Sequence, residues 1–220
     1  MPSARPATAR PQIPVLRLGD LDDGDVSELR RNADLEGVRF TDVVLPELTM
    51  PGAVANLVRF TGLSAQEADL TGSRFIEVDL DQVHLPVLKA ARTQWRDARV
   101  NGRIGGLEAY EAQWRSVHFV GCKLDYVNLR GAELLDVAFT DCVVGELDLL
   151  DARVRRMAVD GTRITHLNAR RARLTDVDLR GGQLEGLDGL MDLGGATVSR
   201  HQLTLLAPLL AEQVGIKVED

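Results

Sequence analysis

Two cysteines, four histidines, a cluster of glycines and a run of arginines are the residues of this chain best suited to chemistry. Cys122 and Cys142 could bind a soft metal or cycle between thiol and disulfide. His84, His118, His166 and His201 could serve as bases or ligands, yet none has a neighbouring Cys or His at the short spacing of a zinc site. Gly181, Gly182, Gly186, Gly189, Gly194 and Gly195 are dense enough for a phosphate-cradling loop but lack its Gly-Lys-Ser/Thr ending, and they suit tight corners. Arg153, Arg155, Arg156, Arg163, Arg170, Arg171 and Arg173 crowd one segment and raise the question of anion recognition. A Ser-His-Asp constellation assembles in space and leaves no signature in spacing. The elements that position these side chains therefore decide what they can do.

Those elements follow a period of five. Between Val127 and Leu149, bulky apolar residues stand at Leu129, Leu134, Phe139, Val144 and Leu149, each preceded two positions earlier by a smaller or apolar residue. The period extends from Leu35 to Val100 and resumes from Ile104 to Leu184, giving 31 centres, all apolar. The partner positions include Ser73, Thr93, Gly102, Thr162 and Gly182 and are otherwise apolar; no centre or partner is charged, although 27% of the chain is. Neither a helical period of 3.6 nor a simple alternation of two produces this pattern. A unit with two inward and three outward side chains is one side of a square coil. Four units close a turn of 20 residues, and turns stack about 4.8 Å apart through parallel strand pairing.

The segments YVNLRGAELLDV, AVDGTRITHL and ARRARLTDVDLRGGQLEGL also resemble the pentapeptide-repeat proteins, whose unit is A(D/N)LXX. The expectation is an all-β chain: a right-handed quadrilateral parallel β-helix, or β-solenoid, with a short C-terminal helical cap. With a slip of one residue near 101–104, one column reads Phe40, Phe60, Leu80, Val100, Phe119, Phe139, Val159, Leu179, and another stacks Phe75, Trp95 and Trp114. The alternative is a loop extruded over 101–113, where Tyr110 and Glu111 would line a local pocket for an enzyme or ligand binder.

The expected organisation is a flexible tail over 1–14, an N-terminal cap or irregular first coil over 15–32, the repeat coil over 33–190, and a cap or dimerisation segment over 191–220. In 15–32, Val15, Leu16, Leu18, Leu21, Val26 and Leu29 stand among acids and would cover an open strand edge. Ser199 to Gln202 forms a capping box that opens a helix. Leu203, Leu206 and Leu210 share one side of it, as cap contacts or as dimer contacts. Pro208 predicts a kink or a second short helix starting there, and Gly215 a stop, with Ile216 and Val218 returning as a short strand. The resemblance includes fluoroquinolone-resistance proteins in which such a segment joins two coils, so a homodimer is one of the two readings.

This architecture places both cysteines inside the coil, one turn apart, as packed thiols. A coil filled by its own side chains offers no cleft, so no enzyme is expected, and no catalytic residue, metal site or cofactor. The net charge of -7 disfavours nucleic-acid and membrane-surface attraction, and no run approaches the length of an apolar membrane span, so a cytoplasmic location is expected. Charge alternates along the sequence, with -9 over 20–82 and +6 over 152–173. The basic stretch is one turn thick, roughly 5 Å, thinner than the screening length of about 8 Å. Two functions follow: a protein–protein interaction scaffold of unknown partner, and, from the resemblance, a DNA-mimicking rod that binds DNA gyrase. Net charge argues against the second, since duplex DNA of matching length, roughly 37 Å, carries about 22 negative charges. For the fold itself, Leu129→Arg is expected to prevent folding and Arg130→Leu to be tolerated.

Overall fold

In the computed structural model, which describes residues 7–217, the centre and partner residues form one continuous core from Ala33 to Leu179. The backbone winds around it as parallel strands of a single 15-stranded sheet. Turns pair at twenty-residue intervals, Ala55 with Phe75, Leu134 with Val154 and Val144 with Ile164. The chain is thus a parallel β-helix closed by one short C-terminal helix. The first wall is built on Leu35, Ala55, Phe75, Trp95, Trp114, Leu134, Val154 and Leu174. The second is built on Phe40, Phe60, Leu80, Val100, Phe119, Phe139 and Val159.

Few rings suffice because they stack. Phe40 and Phe60 lie with centroids 5.1 Å apart, Phe119 and Phe139 4.9 Å apart. Phe75, Trp95 and Trp114 continue at 5.8 and 4.9 Å. Each such pair contributes about 0.5–1.5 kcal/mol beyond burial.

The slip lies at one corner. Leu80 pairs with Val100, twenty residues on, whereas Val83 pairs with Gly102, nineteen residues on. Gly102 has φ 133°, and a Cβ there would stand 2.2 Å from the Val83 carbonyl oxygen. Only glycine lets the shortened corner close. The strand Gln94–Glu108 continues through it, and Ile104, Leu107, Ala109 and Ala112 are fully buried. The extruded loop over 101–113 is therefore not formed; Tyr110 instead lies beside the Arg92 guanidinium, 5.9 Å from its ring centre.

At the N-terminal end Leu18 and Leu21 are buried, and Asp22–Asp23 pairs with Val38 and Arg39. Gly24 lies on the Phe40 ring, which would be 2.5 Å from an added Cβ, so an incomplete turn closes the aromatic column. Residues 8–12, part of the expected free tail, lie instead along the corner that follows the first wall. The Thr8 and Thr197 hydroxyls pair, the Ala9 N–H donates to Asp176 at 3.1 Å, the Gln12 N–H to Asp136 at 2.7 Å, and Ser116 donates to the Gln12 carbonyl. A segment without regular secondary structure is thus held by side chains from successive turns. Residues 1–6 of that tail lie outside the described residues.

At the other end, Ala196–Thr197 pairs with Val177 and Asp178. The capping box forms as expected: the Gln202 N–H donates to Ser199 Oγ and the Ser199 N–H to Gln202 Oε1. Buried Gln202 Nε2 also donates to the carbonyls of Leu179 and Gly182 at 2.7 and 2.8 Å, doing for the last turn what a following strand would do. Pro208 neither ends nor restarts the helix, which runs unbroken over Arg200–Gln213. The ring leaves only the Thr204 carbonyl without its helical donor, and that side of the helix is exposed to water. Val218, expected in a terminal strand, lies outside the described residues.

Candidate interaction surface

Both thiols are structural. Cys122 is 2% and Cys142 1% exposed, and their sulfurs point at the carbonyls of Val100 and Thr140, 3.2 and 3.3 Å away. The Cys122 N–H meets the Cys142 sulfur at 3.4 Å. The hydrogen bond between the thiols, together with burial, pushes Cys122 well above the ordinary thiol range, which leaves it inert as a nucleophile. A thiol reagent is expected to modify neither cysteine in the native protein and both after denaturation in guanidinium. Rapid labelling of the folded chain would contradict this packing.

Among the described residues, no group of three or more His, Cys, Asp or Glu is placed to hold a metal, and no helix is long and apolar enough to cross a membrane. His118 and Thr140 pair at 2.9 Å, and His166 approaches Asp188 at 3.4 Å. These two histidines, like the cysteines, bridge successive turns, whereas His84 is exposed on a wall and His201 is exposed on the terminal helix.

Stacking also organises the charges. The Asp79 carboxylate lies between Arg59 and Arg99 from the turns on either side, at 3.2 Å each. Asp136 is gripped bidentately by Arg156 at 2.6 Å and Asp151 by Arg171 at 2.7 Å, while Asp148 accepts one hydrogen bond from Arg130 Nε at 2.6 Å. The repeat already sets Arg59, Arg99 and Asp79 on one face, but the pairs at Asp136, Asp148 and Asp151 leave no local mark because their members stand 18 or 20 residues apart.

The outward side of the first wall has the opposite character. Arg74, Arg153 and Arg173 share one column, and Arg96, Arg115 and Arg155 the adjacent one. All six are exposed, and they line a shallow groove of about 810 Å³ with Ile76 and Leu135 half-buried in its floor. Glu133 is the single acid among the groove's lining residues, which carry a net +5, and Asp97 at the adjoining corner pairs with Arg96 at 3.6 Å. Charges that look like alternating bands along the sequence form a lengthwise stripe in space.

Residues 112–188 match the family described as the pentapeptide repeat region. The chain carries a pentapeptide-repeat region. Its five-residue units continue on both sides of the matched segment, back to Leu35 and on to Leu179. Full-length QnrB1, a plasmid-mediated fluoroquinolone resistance protein, is similar at 14% identity over 80% of this chain and 99% of that one, with a TM-score of 0.34. Two trypsin-treated QnrB1 variants are similar at 13% and 18% identity, covering 86% and 87% of this chain and 93% and 99% of theirs, with TM-scores of 0.23 and 0.24. No curated protein matches the chain in sequence.

In the pentapeptide-repeat coil acid sensitivity has two sources. Burial, aided by the nearby Arg99, holds His118 below its ordinary 6.5. The unfolded chain then binds that proton first, so stability is full above pH 6.5 and declines as pH falls through the lower folded value. Asp136 would be raised by its burial, but hydrogen bonds from Arg156 and the Gln12 N–H hold it below 3.8; Arg180 holds Asp178 down as well. Their contribution is present above 3.8 and lost below it. The melting temperature is expected to fall in two stages, and His118→Gln to abolish the upper one.

The terminal helix displays apolar side chains. Leu203 is 51% exposed, Leu205 and Leu209 are also exposed, and Leu206 and Leu210 are half-buried.

Proposed function

We propose that the chain is a non-catalytic protein–protein interaction scaffold acting in the cytoplasm. The observation that carries this reading is the filled coil: both thiols are packed between turns, whereas rigid walls present fixed columns of charge outward. Function is then recognition across a wall rather than reaction in a cleft. Affinity capture from the host extract tests it. Recovery of a protein in fixed ratio to the coil, released by free coil as competitor, supports the scaffold; turnover of a small molecule by purified protein without any such partner overturns it.

The same proposal includes a homodimer through the terminal helix, with Leu203, Leu206 and Leu210 as contacts and exposed Leu205 and Leu209 beside them. The alternative of a DNA-mimicking rod that binds DNA gyrase needs a continuous negative surface. The inter-turn arginines on Asp79, Asp136, Asp148 and Asp151 work against it. A supercoiling assay decides, and absence of inhibition at micromolar protein removes that alternative.

A further inference from the structure

We propose that the arginine groove of the first wall is a docking site for an extended acidic segment of a partner protein. The proposal rests on the scaffold reading and names its surface and the chemistry of its partner. The six arginines occur on turns centred at Phe75, Trp95, Trp114, Val154 and Leu174, with the Leu134 turn between them. Five intervals of about 4.8 Å make a stripe roughly 24 Å long. That is about three screening lengths, so the stripe's field survives along its axis where a band one turn thick would cancel.

An extended peptide advancing about 3.4 Å per residue covers the stripe with about seven residues. Planar guanidinium groups match carboxylates bidentately. Arg115, Arg155 and Arg173 make no ion pair among the described residues and are free to do so. Arg153 is already shared with Glu133 at 3.1 Å, Arg96 with Asp97 at 3.6 Å, and Arg74 donates to Gln94 at 3.0 Å, so two of the three free arginines, Arg115 and Arg155, stand in the second column. Ile76 and Leu135 in the floor offer seats for an apolar side chain among the acids.

The same features argue against a nucleic acid. Single strands are held by stacking on exposed aromatic rings, and the rings of this wall, Trp95 and Trp114, are each 1% exposed and face inward. Ile76 and Leu135, which seat an apolar peptide side chain, offer a phosphate backbone nothing to bind.

The test is fluorescence polarisation with a labelled seven-residue peptide of Asp and Glu around one central Leu. The full chain is expected to bind it at micromolar concentration, and about tenfold or more weakly when salt rises from roughly 50 to 200 mM. Arg115→Glu with Arg155→Glu should weaken binding at least tenfold, and Arg115→Gln with Arg155→Gln by a smaller factor. Lys123→Glu with Arg163→Glu, an equal charge change on a different wall, should leave it within twofold. Thermal melts of each variant verify the fold. No peptide binding, equal loss from both charge-reversed pairs, or tighter binding of a ten-nucleotide single strand at the same arginines would overturn the proposal. A protein captured equally by wild type and by the Arg115→Glu, Arg155→Glu variant would sink the groove and leave the scaffold standing.

Discussion

Leu129→Arg is expected to yield no folded protein. Leu129 is fully buried and stacks in its column with Ala109 before it and Leu149 after it, so its side chain has apolar neighbours along the axis. An arginine there forfeits about 2–5 kcal/mol of packing. Its unpaired charge adds several kcal/mol more, since every inward position around it is apolar. The sum approaches the whole stability of a domain, about 5–15 kcal/mol. A coil contacts only its neighbouring turns, so losing one in the middle also separates the two halves. Loss of the β signal in circular dichroism and rapid proteolysis are expected. A cooperative melt near the wild-type temperature would show that Leu129 does not face inward. Arg163→Leu, on an outer wall and outside the ion pairs of the described residues, should shift stability by no more than about 0.5 kcal/mol.

The inward half of this molecule was legible because a period of five leaves its record in residue types. Phe40, Phe60, Phe119 and Phe139 fall in one column as the spacing implied, and Phe75, Trp95 and Trp114 in another. Even the slip had a mark, a glycine at 102 with a backbone angle other residues avoid. The outward half was not legible in the same way. Nothing in residue type tells Asp148 that its partner is Arg130, because that pairing appears only once the turn length and the corner are fixed. Arg74 and Arg173 lie about a hundred residues apart in sequence and yet in one column, so counting charge along the chain divided a stripe into bands. The contact of residues 8–12 with the corner uses backbone N–H groups, which every residue carries and no sequence advertises. Pro208 does not start a second helix for a related reason: propensity sees a missing donor, while an exposed helix side lets water replace it.

Asp148→Ala is expected to cost about 3–5 kcal/mol. The carboxylate is fully buried and accepts from Arg130 Nε at 2.6 Å, Asn168 Nδ2 at 3.0 Å and the Leu150 N–H at 3.0 Å. Removing it strands three donors at once, two of them away from water. The sequence-based expectation that Arg130→Leu is tolerated is reversed by the same geometry, since that change leaves a buried negative charge. Asn168 and the Leu150 N–H remain to solvate it, and the guanidinium is about half exposed, so the expected loss is smaller, about 2–3 kcal/mol. The two effects should not add. Once the carboxylate is gone Arg130 has nothing to neutralise, so the double variant should lie near Asp148→Ala alone, with a coupling energy of about 2 kcal/mol in urea melts. Additive losses would mean that Arg130 stabilises the coil by packing its aliphatic stem, and that its ion pair with Asp148 adds nothing to a fold held by its core.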